Sequence, residues 1–368
     1  MDAQMRNHGL SFALVFLAAP LFILACAESP KLDTWIVPPD AGTAPESSPV
    51  VIHGQLKVVG TQLQDQTGAP IQLKGVSSMW LNWESEPFAE SKPALAYMRD
   101  NWKLSVIRAS MGTDASDGYL SDPVDMQARV EHVVQHAIEL GVYVLVDWHT
   151  ERAVTQQAEA VEFFRAMASK YGAYPNVIWE PYNEPTAYSW KQIKVYHQAV
   201  VAAIRAVDPD NLIVLGTPNY SQEVEQAAAD PLAGTNLLYT LHFYSCSHQQ
   251  PLRDKGNTAI AAGLPIFITE FGATYADGGL ATTIPPHDYV CETEANLWFA
   301  WMAQNNISGV AWKLEHCTDA SCILASGAPL DGPWPDDMLS TDAGGALSAD
   351  GTGIQGGHGL FVVNWLRQ

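Results

Sequence analysis

Positive charge is what this 368-residue chain has least of. Nineteen lysines and arginines stand against 40 acidic residues, a formal net charge of −21. A phosphate-binding surface needs a basic footprint, so nucleic acid is excluded as a partner, and an anionic membrane surface is disfavoured for the same reason. No G-x-G-x-x-G follows a strand-like run, which removes the main support for a dinucleotide-binding fold. No paired histidines end the first strand-like run, "GVSSMW", as a metal-dependent barrel hydrolase would require. The Gly/Asp-rich stretch 331–357 lacks the ligand spacing of a calcium hand and reads as a solvated loop. Cysteine is scarce, with five in the chain.

The N-terminus reads as an export leader. Arg6 and His8 form a weakly basic start, and Leu10–Leu24 is an apolar core too short to be a good membrane span. "ACA" (Ala25–Ala27) suits ordinary cleavage, whereas "ILAC" (Ile23–Cys26) resembles a bacterial lipoprotein box that would put a lipid anchor on Cys26. The expected location is therefore outside the cytoplasm, either as an outer-membrane or cell-surface lipoprotein or as a secreted protein. Residues 1–26 form this leader. Residues 27–50, rich in Pro, Ser and Ala, form a linker, and residues 51–368 the folded domain. Cys246, Cys291, Cys317 and Cys322 remain. An even count in an exported chain suggests disulfides. Three pairings are open, and Cys317–Cys322 with Cys246–Cys291 is expected because the first closes one short loop. Combined with His248 or His316, these thiols fit no standard zinc spacing.

Tryptophan, by contrast, is abundant, with twelve residues. In an acidic chain this suggests flat aromatic platforms for a neutral ring-shaped ligand. A rhythm organises the rest. Eight short β-branched runs recur at 71–78, 104–111, 142–149, 176–183, 211–218, 237–244, 265–272 and 307–314, after a hairpin around "DQTG". Helix-period segments lie between several of them, and "HGLFVVNWLRQ" closes the chain. Strands apolar on both faces that alternate with helices imply a parallel sheet, and eight of them imply an α/β fold of the (β/α)8 TIM-barrel type.

The polar residues gather at the strands' C-terminal ends, where such barrels carry their chemistry. Arg108 ends the second strand, and Asp147, Trp148 and His149 the third. Asn183 and Glu184 end the fourth, His242 and Tyr244 the sixth, Glu270 the seventh, and Trp312 and Lys313 the eighth. Two carboxyl groups facing each other across one mouth suit glycosidic cleavage, where one protonates the leaving oxygen while the other attacks or assists.

"WEPYNEP" and "ITEFGA" resemble the two signatures of glycoside hydrolase family five. "GAPIQLKGVSSMWLNW", "VIRASM", "VYVLVDWH", "LHFY" and "GVAWKL" occur in the family's order over most of residues 51–315, nearest to the bacterial endo-β-1,4-glucanases. The resemblance implies a retaining mechanism, with Glu184 as acid/base and Glu270 as nucleophile. It also implies Asn183 on the sugar 2-hydroxyl, Arg108 holding Glu270 ionised, and Tyr244 hydrogen-bonded to Glu270. His149 and His242 would line the catalytic subsite, Trp312 its floor. Trp83 would be a platform on the non-reducing side and Trp190 one on the leaving-group side. Glu180, deeper in its strand, reads as a structural carboxylate. Four positions depart from the pattern: Met79 and Trp80 where His-Gly is usual, Asn82 for Gln, and Gly112 for an aromatic. Cellulose or mixed-linkage glucan is the expected substrate. Mannan, glucomannan or xyloglucan are the alternatives, and a non-catalytic polysaccharide-capture lipoprotein is the other class of reading. No cofactor and no metal are expected, and the chain is expected to be a monomer.

Overall fold

The computed structural model describes residues 44–278, 289–316, 319–341, 346–347 and 354–368. The leader, most of the linker and Cys317 lie outside the described residues. The folded part opens with a short helix, Pro49–His53, and an antiparallel hairpin of β1 (Lys57–Val59) and β2 (Gln62–Gln64). Its turn falls at Gly60, whose φ of 62° suits a residue without Cβ. "DQTG" makes a second reversal just after it. Asp65 Oδ1 there accepts from the Thr67 hydroxyl at 2.6 Å and from the backbone N–H groups of Thr67 and Ala69.

Eight parallel strands then close on themselves: β3 (Lys74–Ser78), β4 (Val106–Gly112), β5 (Tyr143–His149), β6 (Val177–Glu180), β7 (Leu212–Leu215), β8 (Leu237–Thr240), β10 (Ile266–Gly272) and β11 (Gly309–Leu314). Each pairs with the next, and β11 pairs with both β10 and β3, which shuts the barrel. The two-residue β9 (Phe243–Tyr244) joins at the upper end of β10. Helices pack outside. Pro123–Leu140 shows why they form: Asp122 caps its start by accepting from Asp125 N–H. Gly141 ends it in the left-handed region at φ 67°, as a helix C-terminus favours. The helix Gln250–Ala261 escapes sequence reading because Pro251, Gly256 and polar residues hide its period. Gly256 is required there by packing, since a Cβ would meet the Trp301 ring at 2.7 Å.

Inside the barrel the lower layer is apolar. Val106, Tyr143, Leu145, Ile178, Leu212, Val214, Leu238, Phe267 and Val310 form one buried cluster that the hairpin plugs with Leu56 and Leu63. Cys246 and Cys291 are joined by a disulfide that closes a 45-residue separation. Cys317 being outside the described residues, the second expected pairing is outside them too.

Candidate active site

One step up each strand the interior changes character. Side chains alternate faces along a strand, so the residue two positions beyond an inward-facing one also faces inward. Two beyond Val106 stands Arg108, two beyond Leu145 stands Asp147, and two beyond Ile178 stands Glu180; all three are fully buried. A buried guanidinium must be paired, and Arg108 is paired on every side. Its Nε donates to Glu180 Oε2 at 2.7 Å and its Nη1 to Glu270 Oε2 at 2.9 Å. Its Nη2 donates to Asn183 Oδ1 at 2.6 Å and lies 2.9 Å from Asp147 Oδ2.

One cation among three carboxyl groups cannot hold all of them ionised. Burial pushes Asp147 up to about 8 and Glu180 up to about 7, against the pull of Arg108. Glu270 is the best served. Besides Arg108, it accepts from the Tyr244 hydroxyl at 2.6 Å, so both its oxygens receive a donor. Glu184 sits opposite with its side chain 17% exposed. Burial, with the charges of Glu151, Asp147 and Glu180 behind it, pushes its carboxyl up to about 8. Its Oε1 lies 2.9 Å from His242 Nδ1. One oxygen of Glu184, one of Glu270 and a ring nitrogen of His242 all lie within 4.8 Å of one another. That trio is the one group of its kind among the described residues that could surround a cation. Both Glu270 oxygens already accept from Arg108 and Tyr244, and a second cation beside the guanidinium would be repelled, so we assign it no metal.

The supporting residues are fixed in turn. Burial keeps His149 neutral by pushing it down to about 3. Its Nδ1–H donates to Asp147 at 2.6 Å, leaving Nε2 to accept from the Asn183 amide at 3.3 Å. Asn183 is thereby oriented by Arg108 on one side and His149 on the other. The Trp312 ring lies nearly parallel to that of His149, centroids 5.3 Å apart. Lys313 points its ammonium to Asp319 at 2.8 Å and is buried. The peptide between Trp312 and Lys313 is cis.

Of the two expected platforms, only Trp83 is presented. It is 47% exposed and its indole N–H donates to Asp117 at 2.7 Å. Trp80 stacks on it, centroids 4.5 Å apart, and meets His149 edge-on at 4.7 Å. Gly112 makes room for this arrangement: a Cβ there would lie 2.1 Å from Asn82 Oδ1. Trp190 corrects the sequence reading. It is 5% exposed, donates to the Asp230 carbonyl and packs against Tyr239, so it is a packing residue at the start of its helix, not a platform. Tyr220 is the aromatic the sequence reading missed. It is 49% exposed and rides on three consecutive left-handed residues, Asn219, Tyr220 and Ser221. Such strain in non-glycine residues gathers at functional sites. The turn is pinned beside Glu184: Tyr220 N–H donates to the Pro185 carbonyl and the Ser221 hydroxyl to the Asn183 carbonyl.

Thr269 was missed for a different reason. It and Glu270 are neighbours, yet both reach the site, which strict alternation forbids. The register of β10 against β11 shifts between Ile268 and Phe271, and such an irregularity re-aims a side chain.

Comparison with known proteins agrees with this geometry. Residues 64–317 match the cellulase (glycosyl hydrolase family 5) model. An endoglucanase of Clostridium saccharobutylicum is 41% identical over 301 residues, covering 80% of this chain and 65% of that protein. Endoglucanase Z of Dickeya dadantii is 44% identical over 273 residues, 73% of this chain and 60% of that protein. The chain thus spans less than two thirds of the length of these relatives. Among solved structures, the catalytic domain of Thermobifida fusca endoglucanase Cel5A superposes with a TM-score of 0.76 at 28% identity, over 87% of this chain and all of that one. A variant of that domain has been solved in complex with cellotetraose. The chain belongs to glycosyl hydrolase family 5.

Proposed function

From that membership we propose that this chain is an endo-β-1,4-glucanase that cleaves by double displacement with retention of configuration. The observation that carries the reading is the pair Glu184 and Glu270, with oxygens within 4.8 Å. Retaining pairs stand about 5–5.5 Å apart, whereas inverting pairs leave roughly 6.5–9.5 Å for a water. The two carboxyls are also set for different tasks. Glu270 is held by two donors, and Glu184 is kept protonated by burial and by the negative charges around it.

In the first step the Glu270 carboxylate attacks the anomeric carbon. The bond to the leaving sugar breaks, and its oxygen takes the proton of Glu184. A glycosyl ester on Glu270 results, and its negative charge is gone. In the second step the Glu184 carboxylate takes a proton from water, the water oxygen bonds to the anomeric carbon, and Glu270 is released as a carboxylate. Trp312 would floor the reacting sugar and Asn183 would hold its 2-hydroxyl. Trp83 and Tyr220 would flank the cleft.

β-1,4-Glucan is the proposed substrate, supported by the names of the relatives. The Trp80–Trp83 stack and the Asn82–Gly112 contact give a specific reason to keep mannan and glucomannan as the second reading, since they reshape the wall on the non-reducing side. Export is likewise proposed, with or without a lipid on Cys26. The Cys246–Cys291 bridge supports it, because disulfides persist outside the reducing cytosol. The test is reducing-sugar release from carboxymethylcellulose, glucomannan and mannan, with Glu270→Ala as control. Activity on carboxymethylcellulose that the variant loses is the expected result. Variant-sensitive activity on mannan alone would move the substrate, and a folded but inactive protein would favour polysaccharide capture.

A further inference from the structure

Glu184 and Glu180 are joined by an unbroken line of hydrogen bonds. Glu184 Oε1 lies 2.9 Å from His242 Nδ1, His242 Nε2 lies 2.9 Å from Thr269 Oγ1, and Thr269 Oγ1 lies 2.5 Å from Glu180 Oε1. His242, Thr269 and Glu180 are buried, so no bulk water interrupts the line. The other Glu180 oxygen is taken by Arg108 Nε, and Thr269 also touches the Thr240 hydroxyl at 2.7 Å.

Thr240 Oγ1 already accepts from the Thr269 N–H, and with its hydroxyl donating to Thr269 Oγ1, counting protons leaves this line two arrangements. Burial pushes His242 down to about 4, so the ring is neutral and one nitrogen carries its proton. Thr269 has one hydroxyl proton to give. If the ring proton is on Nδ1, it goes to Glu184 Oε1. Bare Nε2 then takes the Thr269 proton, and the contact between Thr269 and Glu180 is a hydrogen bond only if Glu180 is protonated. If the ring proton is on Nε2, it goes to Thr269, which donates to a Glu180 carboxylate. Bare Nδ1 then faces Glu184 Oε1, and that contact is a hydrogen bond only if Glu184 carries its proton on that oxygen.

We propose that Glu180 is a positioning residue for the acid/base, acting through Thr269 and His242 to decide which Glu184 oxygen holds the catalytic proton. The proposal rests on the reading of Glu184 as acid/base. With Glu180 protonated, Oε1 of Glu184 is occupied by the ring N–H. The catalytic proton sits on Oε2, free for the glycosidic oxygen. That proton alone leaves in the first step and one from water returns in the second, while the relay protons stay in place. When the line loses one proton to solvent it leaves from His242 Nδ1, beside the partly exposed Glu184: the Glu180 proton passes to Thr269 Oγ1, the Thr269 proton passes to bare Nε2, Glu180 is left as a carboxylate accepting from Thr269, and Glu184 turns its proton to Oε1 against bare Nδ1. The acid is then withheld from the substrate. One N–H bond forms at Nε2 and one breaks at Nδ1, with one proton lost overall.

Gln at position 180 would imitate the protonated acid, its amide donating to Thr269 and its oxygen accepting from Arg108. The other titratable groups facing the relay are Arg108 from β4, Asp147 and His149 from β5, Glu151 just beyond it, Tyr244 from β9, His248 just after it and Glu270 from β10. All remain in the variant. The test is the pH profile of kcat for the full chain and for Glu180→Gln, with ¹⁵N NMR of the histidine-labelled proteins. In the wild type the alkaline limb should follow Glu180, at about 7, and His242 should change from Nδ1–H to Nε2–H across it. In Glu180→Gln the limb, read relative to the variant's own maximal kcat, should move to higher pH, where Glu184 alone sets it, with His242 fixed as Nδ1–H. A purely structural, ionised Glu180 predicts the opposite. Removing its charge would lower the Glu184 pKa, so the limb would stay or fall, and that result overturns the proposal. Thr269→Val is the second variant, for it cuts the relay and leaves the Glu180–Arg108 pair. A wild-type limb there also overturns it. A chain inactive on every β-glucan that still shows the tautomer change would retain the relay and refute the glucanase reading.

Discussion

The lower and upper halves of the barrel interior are built on the same strands and hold opposite contents. Val106, Leu145, Ile178, Leu238, Phe267 and Val310 lie below, and Arg108, Asp147, Glu180, Thr240, Thr269 and Trp312 lie two residues above them. All of these residues are buried, Trp312 being the most exposed of them. Below, burial itself is the stabilising term. Above, burial is unfavourable and is offset by the polar partners gathered around Arg108. The lesson is that one layer supplies rigidity and the next uses it, since a buried charge can be held at a shifted proton affinity only where its neighbours cannot relax.

Four perturbations should separate the halves. The largest effect belongs to Glu270→Ala, which should cost about 10³-fold or more in activity, over ~4 kcal/mol of transition-state stabilisation, with the melting temperature little changed. Assay on carboxymethylcellulose beside a thermal melt reads both. Phe267→Ala in the lower half should do the reverse. It should lose about 3–5 kcal/mol of stability in a denaturant titration and keep kcat within about threefold once folded. Arg108→Met should affect both, because it strands three carboxyls around one apolar chain. A loss of about 3–5 kcal/mol is expected, smaller at pH 5 than at pH 8, where more of those carboxyls are charged. Trp83→Ala, at the exposed rim, should be the mildest, raising KM by about three- to tenfold with stability unchanged within ~0.5 kcal/mol.

Stability against pH should carry the same signature. Asp147, Glu180 and Glu184 have raised folded pKa values, at about 8, 7 and 8. The native state therefore holds more protons than the unfolded chain between about pH 4 and 8, and stability falls as pH rises through that window. The buried neutral histidines His149, His197 and His242, pushed down to about 3, 4 and 4, act in the other sense and remove stability as pH falls from about 6.5 toward 4. A maximum at weakly acidic pH is expected from melts taken across the range.

The eight strands and the polar residues at their upper ends were legible in the sequence because β-branched runs and their spacing are local signals. What was not legible depends on backbone detail or on packing. Thr269 enters the site through a register shift that alternation does not foresee, and Tyr220 through a left-handed turn made of Asn, Tyr and Ser, without glycine to mark it. Trp190 shows the converse: an aromatic near the rim says nothing of whether its face is open until Asp230 and Tyr239 are seen against it. Glu180 could be read as buried, but its link to Glu184 needed the positions of His242 and Thr269.

In the proposed mechanism Glu184 and Glu270 act across a gap suited to retention. Proton NMR of the first product released from cellopentaose tests it most directly, by following the anomeric signals before mutarotation. The β-anomer appearing first is the predicted result. The α-anomer appearing first would contradict that mechanism, because inversion uses carboxyls roughly 6.5–9.5 Å apart with a water between them, wider than the 4.8 Å within which an oxygen of Glu184 and one of Glu270 lie.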